Sequence, residues 1–207
     1  MRKIQLIGLA LVAAFALSAI AASAAVASPE WLCNGAPCAA KTVVESEATL
    51  QLSDKTLLGT IKVECSGLSV GTVGAGTADE VTAVLDLTGT TTEVTCTVLE
   101  GGNLCTPPAI AKAVNLPWLT TLLSLTEDDL TGSGVGNPGW SIKCANGLSD
   151  ECTKELAILA VSNEVLEGKG VVDELFNVAE NATCKNGTGK VSGLVLVLLA
   201  GGSVAVS

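Results

Sequence analysis

"IKVEC", residues 61–65, alternates strictly: Ile61, Val63 and Cys65 fall on one side of an extended chain, Lys62 and Glu64 on the other. Successive side chains of a strand point to opposite faces, so this is the pattern of a strand buried on one face only. The pattern recurs outward from there. "VTCTV" (94–98) sets Val94, Cys96 and Val98 against Thr95 and Thr97, and "WSIKC" (140–144) sets Trp140, Ile142 and Cys144 against Ser141 and Lys143. "VTAVLDLT" (81–88) places Val81, Ala83, Leu85 and Leu87 together, and the tail "VSGLVLVLLAGGSVAVS" (191–207) forms two strands around Gly201-Gly202. Half-buried strands rich in Val, Thr and Leu, punctuated by glycine turns, predict a mainly β domain, an antiparallel β-sandwich or barrel. Two segments depart from period two. "NLPWLTTLLSLTEDDL" (115–130) carries Leu119, Leu122, Leu123 and Thr126 at helical spacing behind Pro117. "SDECTKELAILAVSNEVLEG" (149–168) starts with cap residues Ser149 and Asp150, although its 157–161 run fits a buried strand equally well. At most one or two short helices are expected.

Cysteines stand at 33, 38, 65, 96, 105, 144, 152 and 184. An even count in an exported chain predicts disulfides. Zinc is the competing reading, but structural zinc sites use close C-x₂₋₄-C knuckles, usually repeated or joined by histidine. Here Cys33 and Cys38 form a lone close pair, and the chain has no histidine. A thioredoxin-like C-x-x-C is absent as well. Local turns suggest the pairing. Asn34-Gly35 and Pro37 bend the chain between Cys33 and Cys38. A turn at Glu100-Gly101 would set Cys96 opposite Cys105, and Asn146-Gly147 would do the same for Cys144 and Cys152. Cys65 and Cys184 then close the longest loop, and that bridge would contribute most to stability.

The first 27 residues have the layout of a cleaved secretory signal peptide. Arg2 and Lys3 precede an apolar stretch from Ile4 to Ile20, and both Ala22-Ser23-Ala24 and Ala25-Val26-Ala27 fit small-residue cleavage patterns. An uncleaved anchor is the alternative, disfavoured by those well-placed small residues. Cleavage after Ala27 leaves 28–207 as a single secreted β-rich domain in the extracellular space or cell envelope. The formal charge is −10, and loses two further positive charges with the leader. An acidic chain of this kind fits neither nucleic acid nor anionic membranes as partners. The apolar tail from Val191 is short for a membrane span and is read as a strand hairpin.

Absences narrow the chemistry further. The chain lacks His and Tyr, and its only Arg and Met are Arg2 and Met1. Histidine-based triads are therefore impossible, and the bidentate grip of Arg on phosphate is missing after the leader. "GTVGAG" (71–76) lacks the Lys of a phosphate loop and is read as strand and turn. Carboxylate-only hydrolysis of the glycosidase kind survives, because it needs two acids and nothing else. Glu127-Asp128-Asp129 and Asp150-Glu151 are the acidic clusters, whose oxygens suit calcium but whose spacing fits no EF-hand loop. They are read as solvated surface. Trp118 and Trp140 stand beside turns, either as exposed binding residues or as buried packing against a disulfide. Asn181 and Asn186 open N-x-Thr sequons.

"EWLCNGAPC", "VECSGLSVGTVGAGT", "NLPW", "GW" before "IKC", and "ATCKNG" together resemble a group of secreted hypothetical proteins of actinobacteria. The resemblance spans nearly all of the chain after the leader. It implies export and a cysteine-stapled domain; the group has no known activity, so no functional residue carries over. The expectation is a disulfide-stapled, non-catalytic β domain without cofactor or metal. Its role would be structural or the binding of a protein or cell-envelope ligand. A carboxylate-dependent hydrolase and a carrier of small apolar ligands are the alternatives. The carrier would show an apolar pocket between or beside its sheets.

Overall fold

The computed structural model describes residues 28–74, 79–165 and 172–207; the proposed leader, 1–27, lies outside them. Among the described residues all regular elements are strands. In chain order they are β1 (Trp31–Cys33), β2 (Ala36–Pro37), β3 (Thr42–Thr56), β4 (Gly59–Val73) and β5 (Asp79–Asp86). β6 (Val94–Glu100), β7 (Ala109–Val114), β8 (Trp118–Ser124), β9 (Glu127–Gly132) and β10 (Gly139–Cys144) follow. The last are β11 (Ser149–Thr153), β12 (Leu156–Val165), β13 (Val172–Cys184), β14 (Gly187–Leu198) and β15 (Val204–Val206).

The pairing is antiparallel throughout, and it closes twice. β4, β3, β14 and β13 are long neighbouring strands, and each outer member forks. β4 pairs with β6 through Lys62–Cys65 and with β5 through Gly67–Thr72. β13 pairs with β11 at Thr183 and Cys184 and with β12 from Val172 to Asn177. One ring therefore runs β4-β6-β7-β10-β11-β13-β14-β3 and a second runs β4-β5-β8-β9-β12-β13-β14-β3. Each has eight strands, and they share four. At about 3.3 Å per residue, the 15 residues of β3 or β4 are long enough to serve both rings in turn.

Alternation fills each ring with its own core. Ile61, Val63 and Cys65 of β4 and Leu52 of β3 are buried with Val94, Cys96, Ile142 and Trp140 in the first ring. Val44, Val73, Val161 and Val197 are buried in the second with Trp31, Val204 and Val206. Those last three come from a small separate sheet, β15-β1-β2. Each such buried aliphatic side chain contributes roughly 1.5–3 kcal/mol. The tail does form two strands, but β15 pairs with β1 and not back onto β14. Asn34, in the β1–β2 turn with φ 54°, accepts the Ser203 N–H at 3.0 Å and anchors that return.

Both helix-like segments are strands. In 118–124 alternation prevails: Trp118 and Thr120 face the interior, whereas Leu119 and Leu123 are exposed. β8, β9 and β12 are needed to close the second ring, and that long-range pairing outweighs the local leucine spacing. In β12, Ala157 and Val161 are buried and Ile158 is exposed, again with period two. "VTAVLDLT" is also corrected. A bulge shifts the β4–β5 register between Val70 and Gly71, so Val81 opposes Gly71 and Val84 opposes Ser69. Val81 and Val84 thus line the interior, while Leu87 is exposed in the following turn.

Four disulfides are present: Cys33–Cys38, Cys65–Cys96, Cys105–Cys144 and Cys152–Cys184. Only the first matches the turn-based pairing. The other three expectations fail on register. Cys65 faces Cys96 across β4 and β6, and Cys152 faces Cys184 across β11 and β13. Residues 101–105 coil tightly, with the Leu104 and Cys105 N–H groups both donating to the Gly101 carbonyl, so Cys105 cannot reach across to Cys96. In the β10–β11 hairpin Cys152 opposes Trp140, four residues along the strand from Cys144, or about 13 Å. Separations of 31, 39 and 32 residues make three bridges of comparable weight, about 4 kcal/mol each in the chain-entropy model, in place of one dominant bridge. Such a framework belongs to an oxidising environment.

Candidate internal binding cavity

A cavity of about 260 Å³ lies between the two cores. Leu52, Val94, Ala111 and Trp140 of the first core border it, as do Trp31, Val44, Val73 and Val197 of the second. It exists because the shared strands carry small residues where they cross from one ring to the other. Ala48 of β3 stands opposite Gly67 of β4, and Ser46 stands opposite Ser69, all turned inward. Gly67 is required there, since a Cβ would lie 2.6 Å from the Leu85 carbonyl oxygen. Eight-stranded barrels have interiors just wide enough to be filled by side chains or to hold one small ligand. Small inward residues at the waist leave the second option open.

Most of the wall is apolar, which makes its polar groups informative. Asp128 of β9 lines the cavity, is 2% exposed, and its Oδ1 has no hydrogen-bond partner. Its carboxyl is pushed up to about 7, chiefly by burial and then by repulsion from Asp129 and Asp79; the backbone at Asp129 and Thr121 offsets part of this. Asp79, at the start of β5 and outside the lining, is 3% exposed and is pushed up to about 6 by burial, against interactions with the Trp31 indole and the Gly74 backbone. On another wall, Lys154 and Glu180 form an ion pair at 3.5 Å, and Glu180 also accepts the Ile158 N–H at 3.0 Å. This pair sits at the fork between β11, β12 and β13.

The sequence-derived candidates divide accordingly. Trp118 and Trp140 both border the cavity and neither is an exposed loop residue. Trp118 donates its indole N–H to the Val114 carbonyl at 2.8 Å. Trp140 packs beside the Cys152–Cys184 bridge: a Cβ on Gly189 would lie 2.7 and 2.9 Å from its two sulfurs and 3.1 Å from Trp140 Cζ2. The acidic clusters are dispersed by alternation, with Glu127 exposed and Asp128 buried. Solvated surface is therefore the wrong description of Asp128. Its inward position follows from sharing a face with Leu130, a period-two signal concealed by the helical reading of this stretch. Asn181 and Asn186 are exposed.

A second hollow, about 620 Å³, lies by the β3–β4 turn, where Leu57 and Leu58 are exposed. Asp54, 2% exposed, borders it and is pushed up by burial and then by the neighbouring Asp150 carboxyl. Asp54 also lies close to Cys152 and Cys184, but those sulfurs are joined to each other and leave no thiolate for a metal.

No protein-family model, curated protein or solved structure matches the chain.

Proposed function

We propose that this chain is an exported, non-catalytic binding domain that carries one small apolar molecule in the cavity between its two rings. The cavity itself is the observation that supports this. It is a half-open, largely apolar hollow of about 260 Å³ with a consolidated core on each side, the form of a site for one small molecule. Export accords with the leader-like N-terminus and with four disulfides. The hydrolase alternative has less support. It needs two acids directed at one substrate, whereas Asp79 is engaged by Trp31 and Gly74, and Glu180 by Lys154.

Calorimetric titration with 1-octanol tests the proposal. Saturable binding of one molecule per chain is expected, and Ser46→Leu with Ala48→Leu, which fills the waist, removes it. No saturable binding to the disulfide-intact protein, or undiminished binding to the filled variant, refutes it.

A further inference from the structure

Resting on that reading of the cavity, we infer that its ligand is an apolar amine, held by an ion pair between its ammonium group and the Asp128 carboxylate at the cavity wall. Three observations converge on this class. Asp128 is a cavity-lining residue, almost fully buried, and one of its oxygens has no donor. A buried carboxylate oxygen without a partner is costly, and a ligand donor arriving there recovers that cost.

The surroundings then select the sign of the donor. Asp128 is the carboxylate that lines this part of the wall, and the nearby Asp79 and Asp129, outside the lining, act on it as like charges. The ion pairs among the described residues, Lys154–Glu180 and Lys185–Glu151, include none of these three. An alcohol or amide donor would satisfy the open oxygen but leave the negative field unbalanced. An ammonium group does both, through a charge-assisted hydrogen bond. A carboxylate ligand would be repelled. Most of the remaining wall is hydrocarbon, Leu130, Leu159, Val195 and Val197 included, with Lys112, Glu80 and the Lys154–Glu180 pair at other places on it, so the body of the ligand is apolar. Its size is bounded by the cavity of about 260 Å³.

The test compares n-octylammonium, 1-octanol and octanoate at pH 8 and 0.15 M salt, by calorimetry on the disulfide-intact chain. The ammonium should bind at least tenfold more tightly than the alcohol, and octanoate more weakly than either. Asp128→Asn should abolish the preference for ammonium over alcohol while alcohol binding persists, which also reports that the variant is folded. Glu127→Gln removes the same charge from the exposed face of the same strand and should leave the preference intact. Equal binding of ammonium and alcohol, or a preference that survives Asp128→Asn or is lost in Glu127→Gln, overturns the inference alone. Failure of all three probes to bind overturns the cavity reading with it.

Discussion

Asp128→Asn, followed as a pH series of unfolding, isolates what the buried carboxyl does to the fold. Asparagine keeps the shape of the side chain and cannot ionise. In the unfolded chain the Asp128 carboxyl titrates near 3.8, and in the folded protein near 7. Between those values the folded state retains a proton that the unfolded chain has released. Stability is therefore greatest below the lower value, falls as pH rises through the window, and is level above it. At 1.36 kcal/mol per pH unit, a window of about three units amounts to about 4 kcal/mol. Asp79 repels Asp128, so its own upward shift shrinks when the Asp128 charge is removed, and this adds to the gain of the variant in the same direction. Urea unfolding with the disulfides intact, at pH values from 4 to 8, gives both stabilities. The variant should gain about 4 kcal/mol on the wild type between the two ends of that series. A difference that stays constant with pH would show that Asp128 titrates alike folded and unfolded, and the argument from its burial would fail.

Peptide mapping under non-reducing conditions should recover the bridges Cys65–Cys96, Cys105–Cys144 and Cys152–Cys184 beside Cys33–Cys38, with no thiol open to alkylation. Recovery of Cys96–Cys105 or Cys65–Cys184 would contradict the strand register. Gly189→Val should cost about 1–3 kcal/mol, since its side chain would press on both sulfurs of the Cys152–Cys184 bridge and on Trp140. An unchanged urea midpoint would mean that this contact is looser than described.

By itself the sequence determined the class of the fold and the faces of its best strands. Ile61, Val63, Cys65, Val94, Cys96, Trp140, Ile142 and Cys144 are all buried where alternation places them. Period two is local information, written in five consecutive residues. Pairing is another matter. Which strand lies beside which depends on residues far apart in the chain, and two disulfides followed register across such pairs while the local turns suggested others. Only the two tight residue-to-residue oppositions, Cys65 with Cys96 and Cys152 with Cys184, and the packing of Cys105 against Cys144 decided the framework. The same holds for the site. Ala48, Gly67, Ser46 and Ser69 are unremarkable in sequence, and they become a cavity because register sets them opposite one another at the waist of two rings. Asp128 sits in an acidic run that resembles any solvated surface. Its burial was decided by the closure of β8, β9 and β12 into the second ring, because closing a sheet on itself turns one face of every strand away from water.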